Sequence, residues 1–165
     1  MKTPKPAAEL LDRLAEAMRP HVTSDTVLVG IHTGGVWIAE WLHRALALKA
    51  PMGSIDVSYH RDDHHLGGGR SGGRASQLPF DVEGAHVVIV DDVLATGRTI
   101  RAAMNELFDY GRPARIDLAV LIDRGNRELP IAARWSAQTV NLPASQTLEL
   151  TRRDSGELAF RVTEK

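Results

Sequence analysis

An acidic pair and a run of small, hydroxyl-bearing residues follow one another near the middle of the chain. Asp91 and Asp92 come directly after the apolar stretch AHVVIV, and the residues that follow them are VLATGRT. Small residues and a glycine let a backbone wrap closely around a phosphate, whose charge is stabilised by N–H groups and by the dipole of a following helix. The hydroxyls of Thr96 and Thr99 add further donors.

The acidic pair has a different chemistry from the loop that follows it. Two adjacent carboxylates do not attract a phosphate, but they accept hydrogen bonds from a vicinal diol and hold a hydrated divalent cation. A diol beside a phosphomonoester describes a ribose 5-phosphate. The residues predicted to bind it are Asp91, Asp92, Ala95, Thr96, Gly97, Arg98 and Thr99.

Two simpler interpretations of this segment exist. In the first, Asp91 and Asp92 only solvate the end of a strand and Thr96 only caps a helix. In the second, the acidic pair is a Walker B element, but the chain has no GxxxxGK followed by Ser or Thr, and no GxGxxG joins a strand to a helix. The whole segment in its strand-to-helix context favours the ribose 5-phosphate site.

Short runs rich in Val and Ile alternate with amphipathic helical patterns along most of the chain. The predicted strands are TVLVGI, GSIDVSY, AHVVIV and DLAVLI, and the predicted helices are Ala7 to Met18, VWIAEWLHRALAL and IRAAMNELFDYG. This alternation predicts an α/β fold with a mostly parallel central sheet flanked by helices, and ligands bind beyond the carboxyl ends of such strands. LELTRR and ELAFRVT, on either side of a turn, predict a C-terminal β hairpin.

Size and composition indicate one domain, residues 1–165, because 165 residues with 43% hydrophobic content suit a single core. A net charge of -1 argues against a protein that mainly coats nucleic acid or an anionic membrane. The chain has no cysteine, which excludes disulfides, thiolate-bound zinc and a thiol nucleophile. Charges interrupt the apolar N-terminal stretch and no segment approaches a membrane span, so we expect a cytoplasmic protein without membrane partners.

The longest irregular segment, about 60–79, contains five glycines and three arginines among few apolar residues. A loop of this length and basic content is predicted to be a flexible lid that closes over a polyanion. A zinc or nickel site is the alternative, with ligands from His60, His64, His65, Asp62 and Asp63. A flexible loop is poor preorganisation for a metal, so the lid is favoured.

The segment from Val87 to Thr99 resembles the signature of the type I phosphoribosyltransferase family. His32, Thr33, Gly34 and Gly35, which follow the first predicted core strand, resemble the pyrophosphate loop of that family. The stretches YHRDD, FDVEGAHVVIVDDVLATGRTIRAAMNELFDYGRPARI and LAVLIDRGNRELP are similar to members that combine uracil phosphoribosyltransferase activity with attenuation of pyrimidine operons. The resemblance covers roughly Val27 to Pro130.

The resemblance implies the type I phosphoribosyltransferase fold and a reaction of uracil with 5-phosphoribosyl-1-pyrophosphate (PRPP) that gives UMP and pyrophosphate with Mg²⁺. Asp91 and Asp92 would hold the ribose diol and a solvated Mg²⁺, without direct protein ligands to the metal. By resemblance, Thr33 and Gly34 contact pyrophosphate, Arg61 meets charge on the leaving group, and Arg124 and Gly125 lie near the pyrimidine. The alternative for Arg61 is a pair with Asp62 or Asp63. No covalent nucleophile is needed.

Ala95 bears on the choice of base. Purine-using relatives commonly have an Asp third after the acidic pair, where it can bond the purine ring, and this chain has Ala95 there. A purine substrate is therefore disfavoured. Since no carboxylate base is evident, activation of uracil is left either to backbone groups or to substrate ionisation assisted by nearby charge.

The second hypothesis is an RNA-binding attenuator of pyrimidine genes that responds to UMP, with weak or lost enzyme activity. RNA binding needs exposed arginines and lysines, yet Gly34 stands where the family has an arginine and Asn126 where it often has His. The stretch IAARWSAQTVNLPAS after Pro130 keeps only Arg134 as a basic residue. The enzyme is favoured, with leader RNA kept as a partner and both activities possible in one chain. The family also implies a homodimer or homotetramer, and Trp37 and Trp41, one helical turn apart, suit a core or a subunit interface.

Overall fold

The computed structural model describes residues 3–58 and 75–165. Its helices are α1 (Ala7–Met18), α2 (Gly34–Ala45) and α3 (Arg98–Tyr110), with a short 3-10 helix over Arg19–His21. The strands are β1 (Val27–Ile31), β2 (Gly53–Ile55), β3 (His86–Leu94), β4 (Arg115–Asp123), β5 (Trp135–Thr139), β6 (Gln146–Arg152) and β7 (Leu158–Glu164). No helix within these described ranges is long and apolar enough to span a membrane.

The first five strands form one parallel sheet in the order β2-β1-β3-β4-β5. β3 lies at the centre, with Gly30 of β1 opposite Val90 and Asp123 of β4 opposite Leu94. The prediction of an α/β fold with a parallel sheet flanked by helices is confirmed. Because the strands are parallel, their carboxyl ends share one edge of the sheet.

Successive residues of β3 contribute to two different cores. Val88 and Val90 belong to the core that contains buried residues of α1 and α2, whereas Val87 and Ile89 belong to the core that contains α3. This alternation explains the uninterrupted apolar run, since both faces of a buried parallel strand need apolar side chains. The carboxyl end of β3 is therefore supported by packing on both sides.

The C-terminal hairpin predicted from the sequence is present. β6 and β7 pair antiparallel in a separate two-stranded sheet, and Leu150 of β6 is buried in the core formed with α1 and α2. The guanidinium of Arg152 lies over the ring of Trp37, 4.8 Å from the ring centroid. Trp37 and Trp41, for which the sequence leaves a core or a subunit interface open, are partly buried and pack against this same core.

The fold differs from the sequence prediction at β5, at β2 and in the segment predicted as a lid. β5 was not predicted, because WSAQT offers only Trp135 as a buried apolar side chain on an edge strand. β2 ends at Ile55, earlier than the run GSIDVSY indicates. Within the segment predicted as a lid, Gln77 forms an antiparallel bridge with Ser54, so residues 75–79 run beside β2. The rest of that segment, 60–74, lies outside the described residues.

Candidate active site

The two acidic residues lie within β3 and not after it, which corrects the predicted strand end at Val90. β1 ends at Ile31, whereas β3 continues beside β4 through Leu94. The parallel pairing with β4 supports the longer strand. On the β1 side, pairing ends at Val90, so Asp91 and Asp92 face the loop that follows β1.

That loop, the predicted pyrophosphate loop, leads into α2, whose first residues lie directly against the acidic pair. A Cβ added to Gly34 would lie 2.5 Å from Oδ2 of Asp92, and a Cβ added to Gly35 would overlap the carbonyl oxygen of Val90. Glycine is therefore required at position 35, where the obstacle is the backbone of β3. The structure brings Gly34 against the side chain of Asp92 and Gly35 against the backbone of Val90 and Asp91, and Thr33 precedes them at the start of α2.

The backbone of β3 orients both carboxylates. Oδ1 of Asp91, a residue only 4% exposed, accepts a hydrogen bond of 2.9 Å from the N–H of Asp92. Oδ1 of Asp92 accepts one of 2.8 Å from the N–H of Val93, while its Oδ2 faces Gly34. Carboxylate oxygens are the donors that Mg²⁺ prefers, so the pair suits a hydrated Mg²⁺ beside a diol.

The loop from Ala95 to Gly97 leads directly into α3. Gly97 adopts φ 94°, which L side chains rarely adopt, and a Cβ there would also lie 3.0 Å from Cβ of Ile131. Oγ1 of Thr96 accepts a hydrogen bond of 3.1 Å from the N–H of Arg98, so Thr96 does serve the helix end, as the simpler interpretation expects. That bond uses a lone pair of the hydroxyl oxygen. Thr99 is half-buried in the first turn of α3.

Arg124 and Gly125 follow β4 at the same edge of the sheet. Arg124 is 9% exposed, and its guanidinium donates to the carbonyl oxygens of Gln146 (3.0 Å) and Pro143 (3.2 Å). Its Nε has no hydrogen-bond partner among the described residues. Arg124 therefore anchors the connection between β5 and the hairpin, and its predicted contact with a base stays a prediction. Arg61, His60, His64 and His65 lie outside the described residues.

Sequence reasoning missed two residues that contact the loop of residues 95–97, the predicted site of the 5-phosphate, called the phosphate loop below. The guanidinium of Arg127 donates to the carbonyl oxygen of Ala95 and, at 2.7 Å, to Oδ2 of Asp123. Glu128 pairs with Arg98 through an Nε–Oε2 distance of 2.8 Å. The only signal in the sequence is the density of charge in DRGNRE after a buried strand.

A cavity of about 870 Å³ reaches the pyrophosphate loop at His32 and Thr33. It lies between α2 and the β2 edge, and Trp37, Glu40 and Arg152 line its wall. The loop can therefore be approached from outside the sheet.

A second cluster of charge surrounds Asp117 in β4. Its Oδ2 accepts hydrogen bonds from His86 (2.7 Å), Arg134 (2.9 Å) and Arg115 (3.0 Å). Burial opposes ionisation of Asp117, but these hydrogen bonds outweigh burial and hold its pKa below the ordinary value of 3.8. Arg134, which also lies over the ring of Trp135, is therefore held by contacts within the chain.

The parallel sheet, the acidic pair in β3 and the glycine-containing loop before α3 define a protein of the type I phosphoribosyltransferase class. The solved hypoxanthine phosphoribosyltransferase of Trypanosoma cruzi has the same fold, with a TM-score of 0.63 at 24% sequence identity. That match covers 86% of this chain and 82% of the other.

Sequence comparison supports the same class. The family model for the phosphoribosyl transferase domain matches residues 4–144. The chain is 49% identical to the bifunctional protein PyrR of Pseudomonas paraeruginosa over 91% of its own length and 90% of the relative. It is 48% identical to the PyrR of Pseudomonas putida, covering 92% and 90%. The chain belongs to the phosphoribosyltransferase family, and within it to the PyrR proteins.

Proposed function

We propose that the protein is a uracil phosphoribosyltransferase, which converts uracil and PRPP to UMP and pyrophosphate in pyrimidine salvage. The observation that carries the proposal is the close approach of Gly34 to Asp92, because Gly34 belongs to the predicted pyrophosphate loop and Asp92 to the acidic pair. The phosphate loop follows that pair within the same stretch of chain, so sites for both ends of PRPP lie side by side.

In this proposal the chain positions reactants and neutralises charge. Asp91 and Asp92 accept hydrogen bonds from the ribose diol, and residues 95–99 hold the 5-phosphate at the start of α3. Thr33 and Gly34 contact the departing pyrophosphate. Mg²⁺ held by substrate oxygens and water near the acidic pair would neutralise charge that develops on pyrophosphate. The oxocarbenium-like transition state needs no covalent nucleophile from the protein.

The choice of uracil rests on the side chains around the predicted base site. Ala95 offers no carboxylate to a purine ring nitrogen, and Arg124 and Gly125 directly follow the neighbouring strand β4. We assign the pyrimidine to this edge, beside Ala95. Arg61 remains our candidate for neutralising negative charge on the departing pyrophosphate.

A pyrophosphate-release assay tests the proposal. With PRPP and Mg²⁺, uracil should support turnover, whereas hypoxanthine, adenine and orotate should not, and chelation of Mg²⁺ should stop the reaction. Absence of turnover with every base would refute the enzyme assignment, and preference for hypoxanthine would refute the argument from Ala95.

RNA binding is the second candidate function, because the relatives are named bifunctional proteins PyrR. In this candidate the chain binds the leader transcript of a pyrimidine operon in response to UMP, as a homodimer or homotetramer. The arginines around Asp117 supply positive charge, although that carboxylate neutralises part of it. Binding to leader RNA that weakens as salt rises and strengthens with UMP would support this function. Its absence at low salt would exclude it.

A further inference from the structure

Three consecutive carbonyl groups in the phosphate loop are held by one segment, residues 124–129. The carbonyl oxygen of Leu94 accepts a 2.9 Å hydrogen bond from the N–H of Arg124. The carbonyl of Ala95 accepts from the guanidinium of Arg127. The carbonyl of Thr96 accepts from the N–H groups of Glu128 and Leu129, both at 3.0 Å. The segment therefore fixes the orientation of three successive peptide groups.

The geometry of the peptide bond makes this orientation important for anion binding. In a trans peptide the carbonyl and the following N–H point in opposite directions. Within the described residues only the His32–Thr33 peptide is cis, so the three peptides that link residues 94–97 are trans. Each carbonyl held by residues 124–129 therefore turns the next N–H to the opposite side. The N–H groups of residues 95, 96 and 97 are oriented in this way.

We propose that Arg127 is a positioning residue for 5-phosphate binding, an inference that rests on the proposed function of residues 95–99. Of the three carbonyl contacts, only the one to Ala95 depends on a side chain. The guanidinium is itself fixed, because Oδ2 of Asp123 accepts from it and Oδ1 of Asp123 accepts the N–H of Gly125 at 2.9 Å. Arg127 thus links the end of β4 to the middle of the phosphate loop.

The charge of this contact also distinguishes positioning from direct phosphate binding. Arg127 is 26% exposed at its side chain and is paired with the Asp123 carboxylate. A phosphate would have to compete with that carboxylate for the guanidinium. The main effect of Arg127 is therefore on the direction of the Thr96 N–H, through a charge-assisted bond to the carbonyl before it.

The test compares ligands that occupy the two ends of the site, using the full chain. Binding of ribose 5-phosphate and of inorganic pyrophosphate with Mg²⁺ is measured by calorimetry for the wild type, Arg127→Gln and Arg127→Lys. Arg19→Gln is the matched control, because Arg19 also joins a backbone carbonyl (Ala45, 3.3 Å) to a carboxylate (Glu16, 3.1 Å). Arg19 lies in the 3-10 helix after α1, outside the site.

For Arg127→Gln we expect the Kd of ribose 5-phosphate to rise by roughly tenfold to a hundredfold, the range for hydrogen bonds to charged groups. The Kd of pyrophosphate should change by less than about twofold, which is the size of effect expected when an exposed charge outside a binding site is removed. The Kd of ribose 5-phosphate for Arg127→Lys should lie between those of the wild type and Arg127→Gln. Lysine keeps the positive charge, but it has no planar guanidinium that can donate to Ala95 and Asp123 together. Arg19→Gln should bind both ligands as the wild type does.

Two results would overturn the inference: unchanged ribose 5-phosphate binding in Arg127→Gln, or equal losses for ribose 5-phosphate and pyrophosphate. Thermal melting shows whether Arg127→Gln folds. If it does not fold, Arg127→Lys is the deciding variant, and wild-type affinity of Arg127→Lys for ribose 5-phosphate would also overturn the inference. A wild type that binds ribose 5-phosphate but does not turn over uracil refutes the base assignment and leaves the Arg127 comparison valid. A wild type that does not bind ribose 5-phosphate refutes both proposals.

Discussion

Gly97→Ala tests whether the phosphate loop depends on a glycine for two separate reasons. Gly97 has φ 94°, and a Cβ at this position would lie 3.0 Å from both Cβ and Cγ1 of Ile131. Gly156, in the turn between β6 and β7, has the similar φ of 90° but no atom within 4 Å of an added Cβ. Gly156→Ala is therefore a matched control that carries the backbone cost alone.

The expected magnitudes follow from these two positions. A left-handed conformation costs an alanine roughly 1–2 kcal/mol, and this cost applies to both variants. Overpacking against Ile131 adds about 1–3 kcal/mol for Gly97→Ala only. We therefore expect a loss in the free energy of unfolding of roughly 1–2 kcal/mol for Gly156→Ala and about 2–5 kcal/mol for Gly97→Ala.

Equilibrium unfolding in urea measures the change in the free energy of unfolding, and steady-state kinetics measures the change in the KM for PRPP. Gly97→Ala should raise the KM for PRPP, because the loop must move away from Ile131, whereas Gly156→Ala should keep the wild-type KM. Equal destabilisation by the two substitutions would refute the contact argument. An unchanged KM in Gly97→Ala would refute the placement of the 5-phosphate on this loop.

Three further predictions concern the acidic groups. Asp92→Asn should lower kcat/KM by about a hundredfold with an unchanged Tm, because the amide lacks the negative charge that attracts a hydrated cation; normal kinetics would contradict this. Ala95→Asp should lower kcat/KM for uracil by about tenfold, because a carboxylate faces the ring oxygens, and an unaffected rate would argue against a base at this position. The lowered pKa of Asp117 means that its ionised form stabilises the fold above its unfolded pKa of about 3.8, and this contribution is lost as pH falls through the lower folded pKa. Urea unfolding at about pH 5 and about pH 3 should therefore show a smaller acid-induced loss for Asp117→Asn than for wild type, and equal losses would exclude the mechanism.

The sheet and the acidic pair were predictable because their signals are local. The apolar run of β3 and the small residues after it lie in one continuous stretch, and period and residue type identify each part. β5 was missed because an edge strand with one large buried side chain resembles a loop. The hairpin was found because two alternating runs flank a turn.

The contacts of Arg127 and Arg124 were not predictable in the same way. Arg127 reaches Ala95 only because β3 and β4 pair until Leu94 lies opposite Asp123, so that their following loops leave the sheet together. Register between distant strands is not readable from residue types alone. The same applies to Arg124, whose guanidinium donates to the carbonyl oxygens of Pro143, before β6, and of Gln146, the first residue of β6.

The carbonyl groups of residues 94–96 are all hydrogen-bonded to residues 124–129, and this divides the site into two parts. Evolution or engineering can vary the side chains of the site, but not the backbone that these hydrogen bonds hold. The backbone of residues 94–97 is fixed by its bonds to residues 124–129, and Gly97 permits almost no other side chain. A new base preference therefore has to come from side chains that project from this frame, such as the one at Ala95. Redesign that inserts or deletes residues in either loop would shift the hydrogen bonds of both.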